Sequence, residues 1–356
     1  MPITRRTALA AAAASPSILL NAAERNPLKY LQIGTGHPHA NKIGVYRDSP
    51  DWQIVGVVEE DPKRLADAKK SKTYRDLPFL SLEEGLNLNI DAVGIETEVQ
   101  DLLKYCGLAI EAGFHCHLDK PAGESLETYE RIMKKADARN LVVQMGYMYR
   151  FNPAVQMLHR CLDAGWLGEI FETHAVMSKV LPASSRRVLD DFEGGIMFEL
   201  GCHIIDLTVG VLGKPDTVTA FPRRTLETNE DTLIDNMLAV LEYPKATATV
   251  RSTGLEVDGF ARRHFTVCGT GGTFHIQPLD RPSVTLSLSE ERKFEGEERV
   301  FKRGKNEIQF DPPYSRYVGD AADLAKIIRG EKKNSYPSEH DLAVQETVLR
   351  ASAVIR

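Results

Sequence analysis

Apolar and polar residues alternate in two rhythms along this chain, and the change falls near residue 150. Before it, the apolar runs LKYLQIG, WQIVGVVEE, DAVGIET, HCHLDKP and LVVQMGYMY read as strands. Residues 40–48, 63–70, 102–112 and 126–138 fall between them with helical spacing, the second helix opened by Pro62. Apolar strands separated by helices predict a parallel sheet covered on both faces. After Arg150-Phe151-Asn152-Pro153 come a helix at 155–164, the strand IFETHAVMSKV and a glycine-rich helix over about 195–212. The alternating runs TVTAFPR, DNMLAVLEY, ATATVRST, RHFTVCGT, GTFHIQPL and SVTLSLS then follow one another without helices, which predicts a mostly antiparallel open sheet. Helices at 317–329 and 340–355 close the chain. The expected class is α/β: a doubly wound parallel-sheet domain at 28–147, then a second α/β domain at 148–356.

At 356 residues, two domains with real cores are expected. With 42% hydrophobic and 26% charged residues, disordered and fibrous classes are excluded. A net charge of -6, with no basic stripe, excludes a nucleic-acid partner and leaves small neutral or mildly charged ligands. The first 23 residues stand apart. Arg5-Arg6, an alanine-rich stretch, Ile18-Leu19-Leu20 and Asn21-Ala22-Ala23 read as a twin-arginine signal peptide, which exports folded proteins. A periplasmic or otherwise exported protein is therefore expected, and cytoplasmic placement is the alternative. The apolar region of that segment is too short to span a membrane. Five cysteines at irregular spacing, with no CxxC, indicate neither a disulfide framework nor a zinc cluster.

Chemistry concentrates in three segments. In LQIGTGHPHA, Gly34 suits a tight turn after a strand, and Gly36 lets a pyrophosphate approach backbone N–H groups near a helix N-terminus. Thr35, His37 and His39 share that loop. Glu59 ends the next strand, where an acidic residue meets an adenosine ribose and repels a 2′-phosphate, so NAD is favoured over NADP. A second cluster, Gly269-Thr270-Gly271-Gly272, lies between two alternating strands and reads as a hairpin turn. Lys120 stands at a strand end, where its ammonium can stabilise a developing oxyanion and also reach a cofactor. In GGIMFELGCHIID, helical spacing places Glu199, His203 and Asp206 on one face. His203 can accept a hydroxyl proton, and Glu199 can orient it or hold a second hydroxyl. No third ligand accompanies this pair, so no metal is expected.

These segments, with AGFHCHLDKPAGESLE and GYMYRFNP, resemble the Gfo/Idh/MocA oxidoreductases from about Pro27 to the C-terminus. The resemblance implies a Rossmann domain followed by an open-sheet domain whose face covers the nicotinamide. It implies Lys120 and His203 as catalytic residues, with Glu199 where many members carry aspartate. Tyr147, Arg150 and Asn152 are implied near the pocket, and Arg186 is a further candidate for an acidic sugar. The sequence departs from the family at His39 (a glycine or alanine-type residue elsewhere), at Asp119 before Lys-Pro, and at Glu96 to Gln100, which lacks the usual Thr-Pro. The expected activity is hydride transfer from a secondary alcohol of a sugar or polyol to nicotinamide, in a homodimer or homotetramer. The alternatives are NAD-dependent glycoside hydrolysis through transient oxidation and elimination, and a non-catalytic NAD-binding protein.

Overall fold

The computed structural model describes residues 26–191 and 193–356; the expected signal peptide at 1–23 lies outside them. Its first sheet contains β1 (Leu28–Ile33), β2 (Trp52–Val58), β3 (Phe79–Leu80), β4 (Ala92–Ile95), β5 (His115–Leu118) and β6 (Val143–Met145). Their spatial order is β3-β2-β1-β4-β5-β6 and every pairing is parallel. This is the doubly wound dinucleotide-binding order, in which ligands collect at the C-terminal strand ends around the β1/β4 switch point. The covering helices are α1 (Ile43–Asp48), α2 (Pro62–Lys70), α3 (Leu82–Leu86), α4 (Leu102–Ala112) and α5 (Leu126–Ala138). The two-residue β3 is too short to carry a period in the sequence. The capping box of α3, in which Ser81 and Glu84 satisfy each other's backbone N–H groups, was a legible signal. The helix expected at 40–48 opens with a 3-10 turn, Ala40–Lys42, before α1.

The second half contains α6 (Pro153–Asp163), β7 (Ile170–Ser178), α7 (Ala183–Asp190), α8 (Cys202–Leu212), β8 (Thr217–Arg223), β9 (Asn236–Glu242) and β10 (Thr247–Thr253). After the short α9 (Gly259–Arg262) come β11 (His264–Gly269), β12 (Gly272–Ile276), β13 (Ser283–Leu288), the small pair β14 (Arg292–Lys293) and β15 (Val300–Phe301), and β16 (Gly304–Gln309). Helices α10 (Val318–Ile328) and α11 (Ser338–Ala351) end the fold. The large sheet runs β16-β13-β12-β11-β7-β10-β9-β8 and is antiparallel except between β7 and β10. Gly269–Gly272 joins β11 to β12 as a hairpin, with Cys268 opposite Thr273.

Two further features depart from what the sequence predicts. The helix expected over 195–212 is interrupted by a π turn, Met197–Gly201, which inserts an extra residue before α8 begins. Ser252 Oγ on β10 donates to the Met177 carbonyl (2.8 Å) and the Ile196 carbonyl (3.3 Å), so a side chain replaces part of the regular helical ladder. The turn packs so closely that a Cβ on Gly201 would lie 2.3 Å from Met197 Sδ. The other departure is α10, which returns to the first sheet. Ala321, Leu324 and Ala325 pack with Tyr30, Tyr46, Trp52 and Ala92, and Trp52 Nε1 donates to the Ala321 carbonyl (3.0 Å).

Candidate active site

The segments that follow β1, β2, β4 and β5 meet at one end of the first sheet. Gly34 takes φ +88°, and a Cβ there would lie 2.6 Å from Thr97, so the turn admits only glycine. Thr35 donates through both its backbone N–H (2.8 Å) and its hydroxyl (2.7 Å) to Glu59 Oε2. Glu59 Oε1 in turn accepts from the Asp61 N–H (3.0 Å), so the end of β2 and the glycine turn are tied together. Beside them opens a cavity of about 360 Å³, lined by Gly34, Glu59, Arg64, Thr97, Glu98 and Tyr105 among others. A side-chain-free turn, a hollow of this size at the switch point and an acidic strand end fit the adenosine part of a dinucleotide. Glu98 was not foreseen. It pairs with Arg64, and its carboxylate lies within 2.9 Å of the space a Gly36 Cβ would fill.

Gly36 also borders a second cavity of about 480 Å³, between the loop and the second half of the chain. Lys120, Glu199, His203 and His39 all line it. Lys120 reaches it from the end of β5, Glu199 from the π turn and His203 from the first turn of α8. Lys120 Nζ donates to the Glu199 carbonyl (2.8 Å) and lies 3.5 Å from Glu199 Oε1. Burial disfavours both charges, yet their mutual attraction prevails. Glu199 is held at about 2, chiefly by Lys120 and then Lys179, and Lys120 is raised above its ordinary value. Glu199 Oε2 has no hydrogen-bond partner among the described residues. The His203 imidazole is driven well below its ordinary value by burial and then by Lys120, so it stands neutral. Its ring sits edge-on to Tyr147 and Tyr149, with centroids 6.1 and 5.3 Å away.

Beneath this cavity lies a polar layer that the sequence did not reveal. The Asp119 carboxylate accepts from its neighbour's N–H, Lys120 N (2.7 Å), and lies 3.2 Å from both His39 Nδ1 and His37 Nδ1. Lys42, wholly buried, donates to Asp119 Oδ2 (2.5 Å) and sits 3.0 Å from Glu96 and 2.9 Å from His117 Nε2. An ammonium only donates, so His117 Nε2 accepts and its Nδ1–H donates to Gln144 Oε1 (2.9 Å). Burial, then Lys42, push His117 down to about 3. Burial and then Asp119 raise Glu96, which favours its protonated form. Histidines and carboxylates do gather here in threes, His37/His39/Asp119 and Glu96/His117/Asp119, but Lys42 Nζ supplies the positive charge between them.

Several expected ligand contacts are corrected by this geometry. His37 turns inward, its Nε2 donating to the Lys120 carbonyl (3.2 Å), and braces the loop from below. Arg150 is buried, donates two hydrogen bonds to Asp206 (3.0 and 2.6 Å) and also pairs with Asp341, and neither Arg150 nor Asp206 borders the cavity. Glu199 and His203 both face the cavity, whereas Asp206, one turn further along α8, is taken up by Arg150 beneath it. Arg186 is buried against Asp231 (2.7 Å) and Asp235 (3.1 Å). Asn152 caps α6 through the Ala154 N–H (2.9 Å) and donates to the Leu279 carbonyl (2.8 Å). Tyr147 packs under His203 without lining the cavity.

Fold and site together define a Rossmann oxidoreductase scaffold. Residues 28–147 match an oxidoreductase family with an NAD-binding Rossmann fold, and residues 155–275 match the Gfo/Idh/MocA C-terminal domain. The chain belongs to the Gfo/Idh/MocA family. It is 27% identical over 184 residues to UDP-N-acetylglucosamine 3-dehydrogenase of Acidithiobacillus ferrooxidans, covering 51% of this chain and 53% of that one. The match thus spans about half that relative's length. D-apiose dehydrogenase of Rhizobium rhizogenes is 25% identical over 268 residues, with 72% and 76% covered. D-xylose 1-dehydrogenase (NADP(+)) 2 of Haloferax volcanii is 26% identical over 243 residues, with 67% and 70% covered. The crystal structure of an oxidoreductase from Agrobacterium radiobacter, in complex with NAD+, L-tartaric acid and magnesium, shares the fold. Its TM-score is 0.75 at 18% identity, covering 92% of this chain and 97% of that one. No described helix is long and apolar enough to cross a membrane.

Proposed function

We propose that this protein is an NAD-linked dehydrogenase acting on a secondary alcohol of a sugar or polyol. One observation carries the reading: an ammonium from one segment, and a carboxylate and a neutral imidazole from another, share a cavity that adjoins the glycine turn. A bound nicotinamide would supply the hydride acceptor, its dinucleotide held by Gly34, Thr35, Gly36 and Glu59. His203 then takes the hydroxyl proton. Lys120 donates to the same oxygen as charge develops, and Glu199 Oε2 accepts from a neighbouring hydroxyl. The sugar-dehydrogenase names of the relatives support the substrate class. Glu59, Glu60 and Asp61 at the nucleotide end favour NAD over NADP, although one relative is named as NADP-dependent. The Arg5-Arg6 segment supports export of the loaded protein, and the open sheet supports a homodimer or homotetramer.

The test is His203→Ala with nucleotide content followed in parallel. Turnover should fall by about 10²- to 10⁴-fold while native mass spectrometry still finds bound NAD. Unchanged turnover would assign the proton to another group, and wild-type protein with no affinity for NAD or NADP would remove the reading altogether.

A second reading is favoured by one contact. His39 faces the same cavity and has Asp119 behind it, 3.2 Å from its Nδ1. Simple oxidation needs one proton acceptor, whereas oxidation followed by elimination at a neighbouring carbon needs another. Release of an aryl alcohol from an aryl glycoside, without net NADH, would select this reading.

A further inference from the structure

The two cavities have opposite electrical character. The nucleotide end is bordered by five carboxylates (Glu59, Glu60, Asp61, Glu98 and Asp101) against only Arg64 and Lys104. The substrate cavity is bordered by four permanent cations (Lys120, Lys179, Arg263 and Arg316), and Glu199 is the only carboxylate among the described residues that line it. Asp280 stands behind Arg263 (2.9 Å) and Arg316 and neutralises part of their charge. Lys120 is matched by Glu199. That leaves Lys179 over.

Lys179 follows β7 directly, and its backbone N–H is fixed by the Thr253 carbonyl (3.1 Å). Its Nζ has no hydrogen-bond acceptor among the described residues, and Glu199 Oε2, the nearest carboxylate oxygen, is 4.0 Å away. The side chain is about one-quarter exposed, so it reaches the cavity without being lost to bulk solvent. Burial, with Lys120 and Arg263 adding to it against Glu199, lowers its pKa, as expected of an ammonium short of counter-charge. Ser184 and Ser185 border the same wall, and Phe260, half exposed, offers an aromatic face at the rim. In a chain of net charge -6, a pocket with this surplus of positive charge selects its ligand by sign.

We infer that the substrate is an anionic sugar, whose carboxylate or phosphate is bound by Lys179 on the α7 side of the cavity while its secondary alcohol faces Lys120 and His203. The inference rests on the dehydrogenase reading for the alcohol, but the anion site stands on its own contacts. A lysine recognises such a group as a point charge, so arginine can substitute for it while a neutral side chain of similar length cannot.

The experiment measures binding, by calorimetry at low salt, to the nucleotide-loaded full chain. The ligands are D-glucuronate, D-galacturonate and glucose 6-phosphate, with D-glucose and D-galactose as neutral partners. At least one charged sugar should bind about ten- to a hundredfold more tightly than its neutral partner. Lys179→Met should remove that preference and Lys179→Arg should keep most of it, both variants melting like the wild type. The uronate and phosphate arms identify which anion is read. Equal affinity for charged and neutral sugars, or a preference that survives Lys179→Met, overturns the site. Tight binding of a charged sugar without NADH production would keep the anion site and remove the dehydrogenase. Oxidation of neutral sugars alone would do the reverse.

Discussion

At the scale of single residues, the protonation of His203 sets a testable limit. A base must be neutral to act, and burial with the nearby Lys120 keeps this imidazole neutral below its ordinary value of 6.5. The acid limb of kcat/KM should therefore fall below pH 6.5; a limb above that value would mean a different base. Glu98 offers a second prediction. Its carboxylate faces Gly36 and occupies Arg64, both costs to a bound pyrophosphate. Glu98→Gln should tighten NAD binding, by roughly fivefold, in a fluorescence titration of the nucleotide. Lys120, Glu199 and His203 were legible because each lies in a short motif with a readable context. Arg150, Arg186 and Asp206 were misread because charge type alone does not distinguish an internal partner from a ligand. The Asp341 that pairs with Arg150 lies 191 positions away, and no local pattern announces it. Lys42 and Lys179 were invisible for the same reason.

At the scale of elements, periodicity gave the strands of both sheets apart from β3 and β16, but not the irregularities that build the site. The π turn is the clearest case. Its sequence, MFELG, has ordinary helical spacing, and only a contact from a distant strand, Ser252 to the Ile196 carbonyl, reveals the widening. Gly201 is a place of close approach, and its neighbour is Met197 rather than a ligand. Gly201→Ala would push a methyl group into the Met197 thioether. The expected result is a loss of about 1–3 kcal/mol in chemical denaturation, with a fall in kcat because Glu199 lies in the displaced turn and His203 just beyond it. Full activity in that variant would show that the turn can relax without moving either side chain. Helix α7 and strand β16 were missed because neither carries a strong apolar period: α7 buries mainly Arg186 and Leu189.

At the scale of the whole molecule, the two sheets follow the division seen in the sequence, but the packing does not. Helix α10 supplies Ala321, Leu324 and Ala325 to a cluster otherwise made by β1, β2, β4 and α1. It is also tied to the buried polar layer, since Gln144 Nε2 donates to the Asp320 carbonyl (3.1 Å) and to Asp323 (3.2 Å). A fragment of residues 26–147 leaves Tyr30, Tyr46 and Trp52 uncovered, and it should bind the dye ANS and melt broadly, whereas the full chain should not. A sharp, dye-free transition from that fragment would contradict the packing.

The return of α10 also has a consequence for biosynthesis. A ribosome delivers residues in order, and the nucleotide-binding half cannot seal its outer surface until position 328 has left the exit tunnel. Until then, three aromatic rings of a nearly finished half are open to chaperones. Maturation is therefore decided only once α10 has been made, so a premature stop shortly before this helix would leave the nucleotide-binding half unsealed.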